Sequence, residues 1–233
     1  MRVVFVGPSL PQTAASMATN ILFRPPAVQG DVLAAVRNGA RVIGIVDGGF
    51  EYTAPVLHKE ILNALSQRVR VFGAASMGAL RAAECRTFGM VGIGRIYDDY
   101  ASGAIVDDAD VALLHGPSEL SYRPLTVPMV NVRATLDAME ARGELDQAHR
   151  LEIERAATLT FFKRRTWKTV LEKANMADTS RKALLPLVIS REVDQKAADA
   201  GALISAVKDA DLEALPQAPQ WIFNDTLPLW NGE

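Results

Sequence analysis

The stretch Val69-Arg-Val-Phe-Gly-Ala-Ala-Ser-Met-Gly-Ala-Leu-Arg-Ala-Ala-Glu-Cys85 passes from a β-branched run, through small residues, into strong helix formers. That order predicts a buried strand over 69–72, a tight turn, and a helix over 77–86. Two earlier runs open in the same way. Val3-Val-Phe-Val6 leads into Gly7-Pro8-Ser9, and Val42-Ile-Gly-Ile-Val46 leads into Asp47-Gly48-Gly49. Helix-compatible stretches follow over 31–38 and 58–65, the first with Asp31 as a cap and Gly39 as a stop. Strand alternating with helix is the signature of a parallel sheet with crossover helices. Strands this continuously apolar suit a sheet covered on both faces.

Working outward, a helix is expected over 93–101 and a strand over 111–114, ending at His115-Gly116-Pro117. The proline-rich segment 117–128 marks a boundary. Beyond it, Val132, Leu136 and Met139 recur at helical spacing, as do Ile153, Ala157 and Thr160. Helices are expected over 129–141, 145–173, 178–198 and 200–209, with Asp178-Thr179-Ser180 as a cap for the third. The tail after Leu215 carries Pro216, Pro219, Pro228, Trp221 and Trp230, which suits an extended arm packed by its aromatics. The expected fold is therefore α/β: an N-terminal parallel sheet with crossover helices over 1–128, then a mainly α-helical C-terminal part over 129–233.

Composition narrows the function classes. The 233 residues carry 25 Lys and Arg against 27 Asp and Glu, a formal charge of −2. Neither side of Leu136 is strongly basic, which argues against a duplex nucleic-acid binder. The single cysteine, Cys85, allows neither an internal disulfide nor a thiolate cluster and fits a reducing compartment. The first apolar run is too short for a signal-peptide core, and no long apolar run suggests a membrane span. The expectation is a cytoplasmic soluble protein.

In open parallel sheets, ligands sit beyond the carboxyl ends of the strands. Those ends supply Ser9, Asp47, Gly48, Ser76, Met77, Gly78 and His115. Ser76 stands in a near match to the nucleophile elbow Gly-x-Ser-x-Gly, with Ala74 at the first glycine. Such a turn exposes the hydroxyl where helix N-terminal N–H groups face a developing oxyanion. The competing reading is a serine that simply caps the helix. A nucleophile needs a base; His58 and His115 are the histidines of the α/β part, and Asp47, Glu60 and Glu84 the carboxylates. Glu84 lies two turns down the helix and suits an i, i+3 pair with Arg81. Asp47, at a strand end, is better placed. The expected catalytic residues are Ser76, Asp47 and His58, with Ser9, Gly48, Met77, Gly78, Arg81 and His115 binding substrate. Dinucleotide and Walker patterns are missing, and the acidic residues 98–99 and 107–110 read better as a solvated face than a cation site. No metal and no cofactor are expected. The run Phe161-Phe-Lys-Arg-Arg-Thr-Trp-Lys168 mixes aromatic and basic residues, as either an acidic partner's dock or a helix with a charged outer face.

Several strings occur in a distinctive order: Gly7-Pro-Ser-Leu10, Arg24-Pro-Pro-Ala-Val-Gln-Gly-Asp31, Asp47-Gly-Gly-Phe50, His58-Lys-Glu-Ile-Leu62, Gly73-Ala-Ala-Ser-Met-Gly-Ala-Leu-Arg-Ala-Ala-Glu84, Phe88-Gly-Met90 and Ile96-Tyr97. Over about 1–120 the chain resembles the TfuA-like proteins. The resemblance implies work beside a YcaO enzyme in backbone thioamidation of peptides or proteins. It also implies hydrolysis of the C-terminal thiocarboxylate of a ThiS-like sulfur carrier to deliver sulfide, and help for YcaO in engaging its substrate peptide. Position 75 is Ala where Ser is common in the family, so Ser76 is the only hydroxyl of the motif. Two alternatives stay open: a non-catalytic adaptor for YcaO, or an unrelated serine hydrolase.

Overall fold

The structure, a computed structural model, describes residues 1–10, 20–49 and 53–224. Phe50 of the quoted strings, and Pro228 and Trp230 of the expected arm, lie outside the described residues. Among the described residues, five strands form one sheet: β1 (Arg2–Phe5), β2 (Leu22–Arg24), β3 (Val42–Ile45), β4 (Arg70–Ala74) and β5 (Val91–Ile93), in the order β2-β1-β3-β4-β5. Every pairing is parallel. Crossover helices α1 (Asp31–Arg37), α2 (His58–Ser66) and α3 (Met77–Cys85) connect them, and α4 (Arg95–Ser102) follows β5. Chain order reverses direction between β1 and β3, the switch point where such sheets open a crevice at their carboxyl ends.

Side chains alternate across the strands and build two cores. Val3, Phe5, Ile43 and Ile45 point to the α1–α3 side and pack with Val32, Ile61 and Ala82. Val4, Val42 and Val46 point the other way and pack with Leu203 and Val207 of α9 (Gln195–Asp209). Gly44 permits that approach, because a Cβ there would stand 2.7 Å from Leu203. Burying Leu203 completely is worth about 2 kcal/mol.

Four further helices, α5 (Met129–Ala141), α6 (Gln147–Thr158), α7 (Trp167–Lys173) and α8 (Asp178–Ser190), enclose a separate core around Met129, Leu136, Ile153 and Val188. Helix α9 follows them in sequence yet lies on the sheet, so the C-terminal part returns to complete the N-terminal core.

Several expected elements differ in detail. The strand over 111–114 is absent. The Val111 carbonyl accepts from Lys196 and the Leu114 N–H donates to Thr126, so side chains take groups that a ladder would need. The helix over 145–173 is broken by a 3₁₀ turn at Phe162–Arg164, and Thr166 restarts it by capping α7 through the Thr169 N–H. The helix over 178–198 stops at Ser190, and Asp194 caps α9 through the Ala197 N–H. Asp178 pairs with Arg181 inside α8 instead of capping it. Gly30 precedes α1, and Asp31 accepts from the Val28 N–H. In the tail, Trp221 meets Phe88 edge to face and donates to its carbonyl, as an aromatic-packed arm would.

Candidate active site

Asp47 sits at the end of β3 and is almost fully buried. Its Oδ2 accepts from the Gly7 and Ser9 N–H groups at 2.8 and 3.0 Å, and its Oδ1 from Ser9 Oγ at 2.6 Å. The Gly7-Pro8-Ser9 turn after β1 thus wraps the carboxylate that ends β3. A buried carboxylate needs such donors to offset desolvation.

Beside it, β4 runs into the turn at Ala75. The Ser76 N–H donates to the Ala74 carbonyl at 2.7 Å, and Ala75 takes φ +66°. That is the positive-φ γ-turn, a rare and strained form, costing of order 1–3 kcal/mol for a residue with a Cβ. Small neighbours hold it. A Cβ on Gly78 would fall 1.7 Å from the Ile45 carbonyl oxygen, so only glycine lets α3 start against β3. Ser76 precedes the helix, but its hydroxyl makes no capping hydrogen bond. The Met77 N–H, first in α3, has no carbonyl one turn back within the helix.

What the Ser76 hydroxyl meets is Lys196. Its Nζ donates to Ser76 Oγ at 3.0 Å and to the Val111 carbonyl at 2.8 Å, and lies 4.0 Å from Asp47 Oδ1. Lys196 is 2 % exposed. Burial lowers its pKa from the ordinary lysine value, while the charges of Asp47 and Asp194 push the other way. The first turn of α9 is fixed from α5. Asn131 accepts from the Lys196 backbone N–H and donates to Asp194.

Ser76, Asp47 and Lys196 line a cavity of about 540 Å³, together with Gly48, Met77, His115 and the 111–114 segment among others. Its walls also carry Asp108, whose carboxyl is held above the ordinary value by burial and then by Asp107.

Of the expected site residues, Ser76 and Asp47 meet through Lys196, and Gly48, Met77 and His115 reach the cavity. Ser9 is buried against Asp47. Gly78 donates to the Val46 carbonyl and serves packing. His58 and Arg81 do not line the cavity. His58 Nε2 bonds Glu84 at 2.7 Å, Arg81 bonds the same carboxylate at 2.6 Å, and Arg81 also donates to the Val56 carbonyl. Glu60 accepts from the Leu57 and Leu33 N–H groups. His115 Nδ1 bonds the Gly116 carbonyl oxygen and its ring meets Tyr122 edge to face.

Sequence reasoning missed Lys196. The available signal was its place at the head of the stripe Lys196, Ala200, Leu203 and Val207, which puts a lysine on a core-facing side. The acidic run is engaged otherwise: Asp110 pairs with Arg133 at 2.7 Å and Asp107 accepts from the Ala109 N–H. Among the described residues, no three His, Cys, Asp or Glu side chains gather to hold a metal ion. No helix of the described residues is long and apolar enough to cross a membrane.

A parallel sheet ending in a strained turn ahead of a serine, with a buried carboxylate and a buried amine, defines an α/β protein with a polar cluster set in a mostly apolar cavity. The TfuA-like protein family matches residues 47–166, more than half of the chain, so the chain belongs to the TfuA-like family. The match begins at Asp47, takes in Ser76 and His115, and runs past the expected limit near 120 into the helical part. This family is associated with YcaO-dependent thioamidation. No curated protein matches the sequence.

Proposed function

We propose that this protein is the YcaO partner that releases sulfide from the C-terminal thiocarboxylate of a ThiS-like carrier, with Ser76 as nucleophile and Lys196 as its base. The observation that carries the reading is the 3.0 Å contact between Ser76 Oγ and a lysine amine removed from water. In its neutral form the amine keeps the Val111 carbonyl as acceptor and turns its lone pair to the hydroxyl. Asp47, held by three donors, stabilises the ammonium that forms when Lys196 takes the Ser76 proton.

Ser76 Oγ attacks the thiocarboxylate carbon, and the developing oxyanion faces the Met77 N–H at the helix start. Lys196 returns the proton to sulfur, which leaves as hydrosulfide, and the carrier is left as an ester of Ser76. Water, activated by Lys196, then hydrolyses the ester to the carrier carboxylate and regenerates the hydroxyl. The net change is thiocarboxylate plus water to carboxylate plus hydrosulfide plus a proton. Sulfide is thus delivered to YcaO, which acts on the peptide.

The test is Ser76→Ala with a thiocarboxylated carrier, following sulfide and carrier mass. Release should fall by roughly a hundredfold or more. A folded variant with near-normal release would remove Ser76 as the nucleophile and move the chemistry to another residue, whereas a parent protein that releases no sulfide would leave the adaptor role in place of hydrolysis.

A further inference from the structure

We propose that the Ser76 site also hydrolyses esters and thioesters of small apolar acids, the acyl chain lying in the cavity above Ser76. This inference rests on Ser76 as the nucleophile and extends its substrate class. In sulfide release the departing group is one sulfur atom, and a glycine-ended tail brings no side chain. Neither accounts for a cavity of about 540 Å³, the size of sites that enclose whole small-molecule ligands.

The walls are mostly apolar. Pro8, Pro26, Val28, Val111, Leu113 and Phe162 are among the residues that line it. Asp108 and Lys163 also belong to the lining, and burial holds the Asp108 carboxyl above its ordinary value. The reactive pair sits in this lining, since Ser76 and Lys196 belong to the same cavity. An apolar chain of roughly four to eight carbons fits within such a space and displaces water from it. The carbonyl carbon is then placed at Ser76 Oγ.

The chemistry balances without a cofactor. Ser76 Oγ attacks the acyl carbon, Lys196 takes the proton, and the leaving alcohol or thiol departs with that proton. Water then cleaves the Ser76 ester to the free acid, so one ester and one water give one acid and one alcohol or thiol.

The test uses the full-length protein with p-nitrophenyl acetate, butyrate and hexanoate. Nitrophenolate release is followed, and acyl-Ser76 is read by mass spectrometry. The expected kcat/KM rises at least roughly tenfold from acetate to hexanoate, since each methylene in an apolar pocket adds discrimination. Ser76→Ala abolishes both rates, and Leu113→Trp brings the hexanoate-to-acetate ratio back toward one. Acylation by acetate with no gain from longer chains overturns the acyl pocket and leaves Ser76 as nucleophile. Sulfide release from the carrier without acylation by any ester also overturns it. No reaction with any ester or with the thiocarboxylated carrier removes both readings together.

Discussion

Two polar clusters lie along helix α3, and they differ in their contact with water. At its head, Lys196 and Asp47 stand 4.0 Å apart with side chains 3 % exposed. Further along, His58 and Glu84 stand 2.7 Å apart with side chains 48 % and 36 % exposed. The outer cluster holds the histidine and the glutamate that a catalytic triad would call for. Solvent screens it, and pairs of this kind contribute about 0–1 kcal/mol each. The inner cluster has no histidine, but its charges are desolvated, satisfied by fixed donors and turned to a cavity. Burial and geometry, more than residue type, single out the inner cluster as the candidate for chemistry.

The largest effect should come from removing the inner amine. Lys196→Met keeps an unbranched side chain one atom shorter and takes away the proposed base. Carrier hydrolysis should fall by roughly a hundredfold or more. Lys196→Arg should not restore it, because a guanidinium keeps its proton and offers no lone pair. Sulfide release and thermal unfolding measured on both variants separate lost chemistry from lost folding. A folded Lys196→Met protein with turnover within a few-fold of the parent would move the base elsewhere.

This contrast also explains what the sequence let a reader see. The β1, β3 and β4 runs were legible because each is apolar, β-branched and followed by a turn. Strand β2 and strand β5 were not, since Leu22–Arg24 and Val91–Ile93 are three-residue edge strands with little pattern. Ser76 and Asp47 were legible because strand ends in parallel sheets collect ligands. Lys196 was not, because it arrives from 120 residues away and only tertiary packing takes its amine out of water. His58 was over-read for the converse reason: histidine suggests catalysis, while its placement at the first turn of α2 gives it to Glu84.

A second, smaller effect should sharpen the electrostatic side of the comparison. The proposed mechanism needs Lys196 neutral, so the rate should rise with pH as the amine loses its proton, with a midpoint below the ordinary 10.5. Burial depresses that pKa and Asp47 opposes the depression. Asp47→Asn keeps acceptors for the Gly7 and Ser9 N–H groups but removes the opposing charge. The ascending limb should therefore move toward lower pH. A limb that stays in place, or moves upward, would dissociate Asp47 from the titration of Lys196.

The smallest effect belongs to the outer cluster, and its smallness is the point. His58→Ala should leave carrier hydrolysis within about twofold, since His58 does not line the cavity. Its stability cost near neutrality should be about 0.5 kcal/mol, typical of an exposed pair. The sign with pH can be worked out from Glu84. Burial alone would raise the Glu84 pKa, but hydrogen bonds from His58 and Arg81 outweigh it and hold the carboxyl below its ordinary 4.5. A depressed carboxyl contributes stability above its unfolded value, and that contribution fades as pH falls through the folded value. Removing His58 takes away one of the two partners, so the variant has less to lose on acidification. Thermal midpoints of parent and variant should differ near neutrality and converge below the unfolded glutamate pKa. A large activity loss in a stable His58→Ala protein would contradict the division of labour between the clusters, and would make the outer cluster part of the reaction or of partner docking.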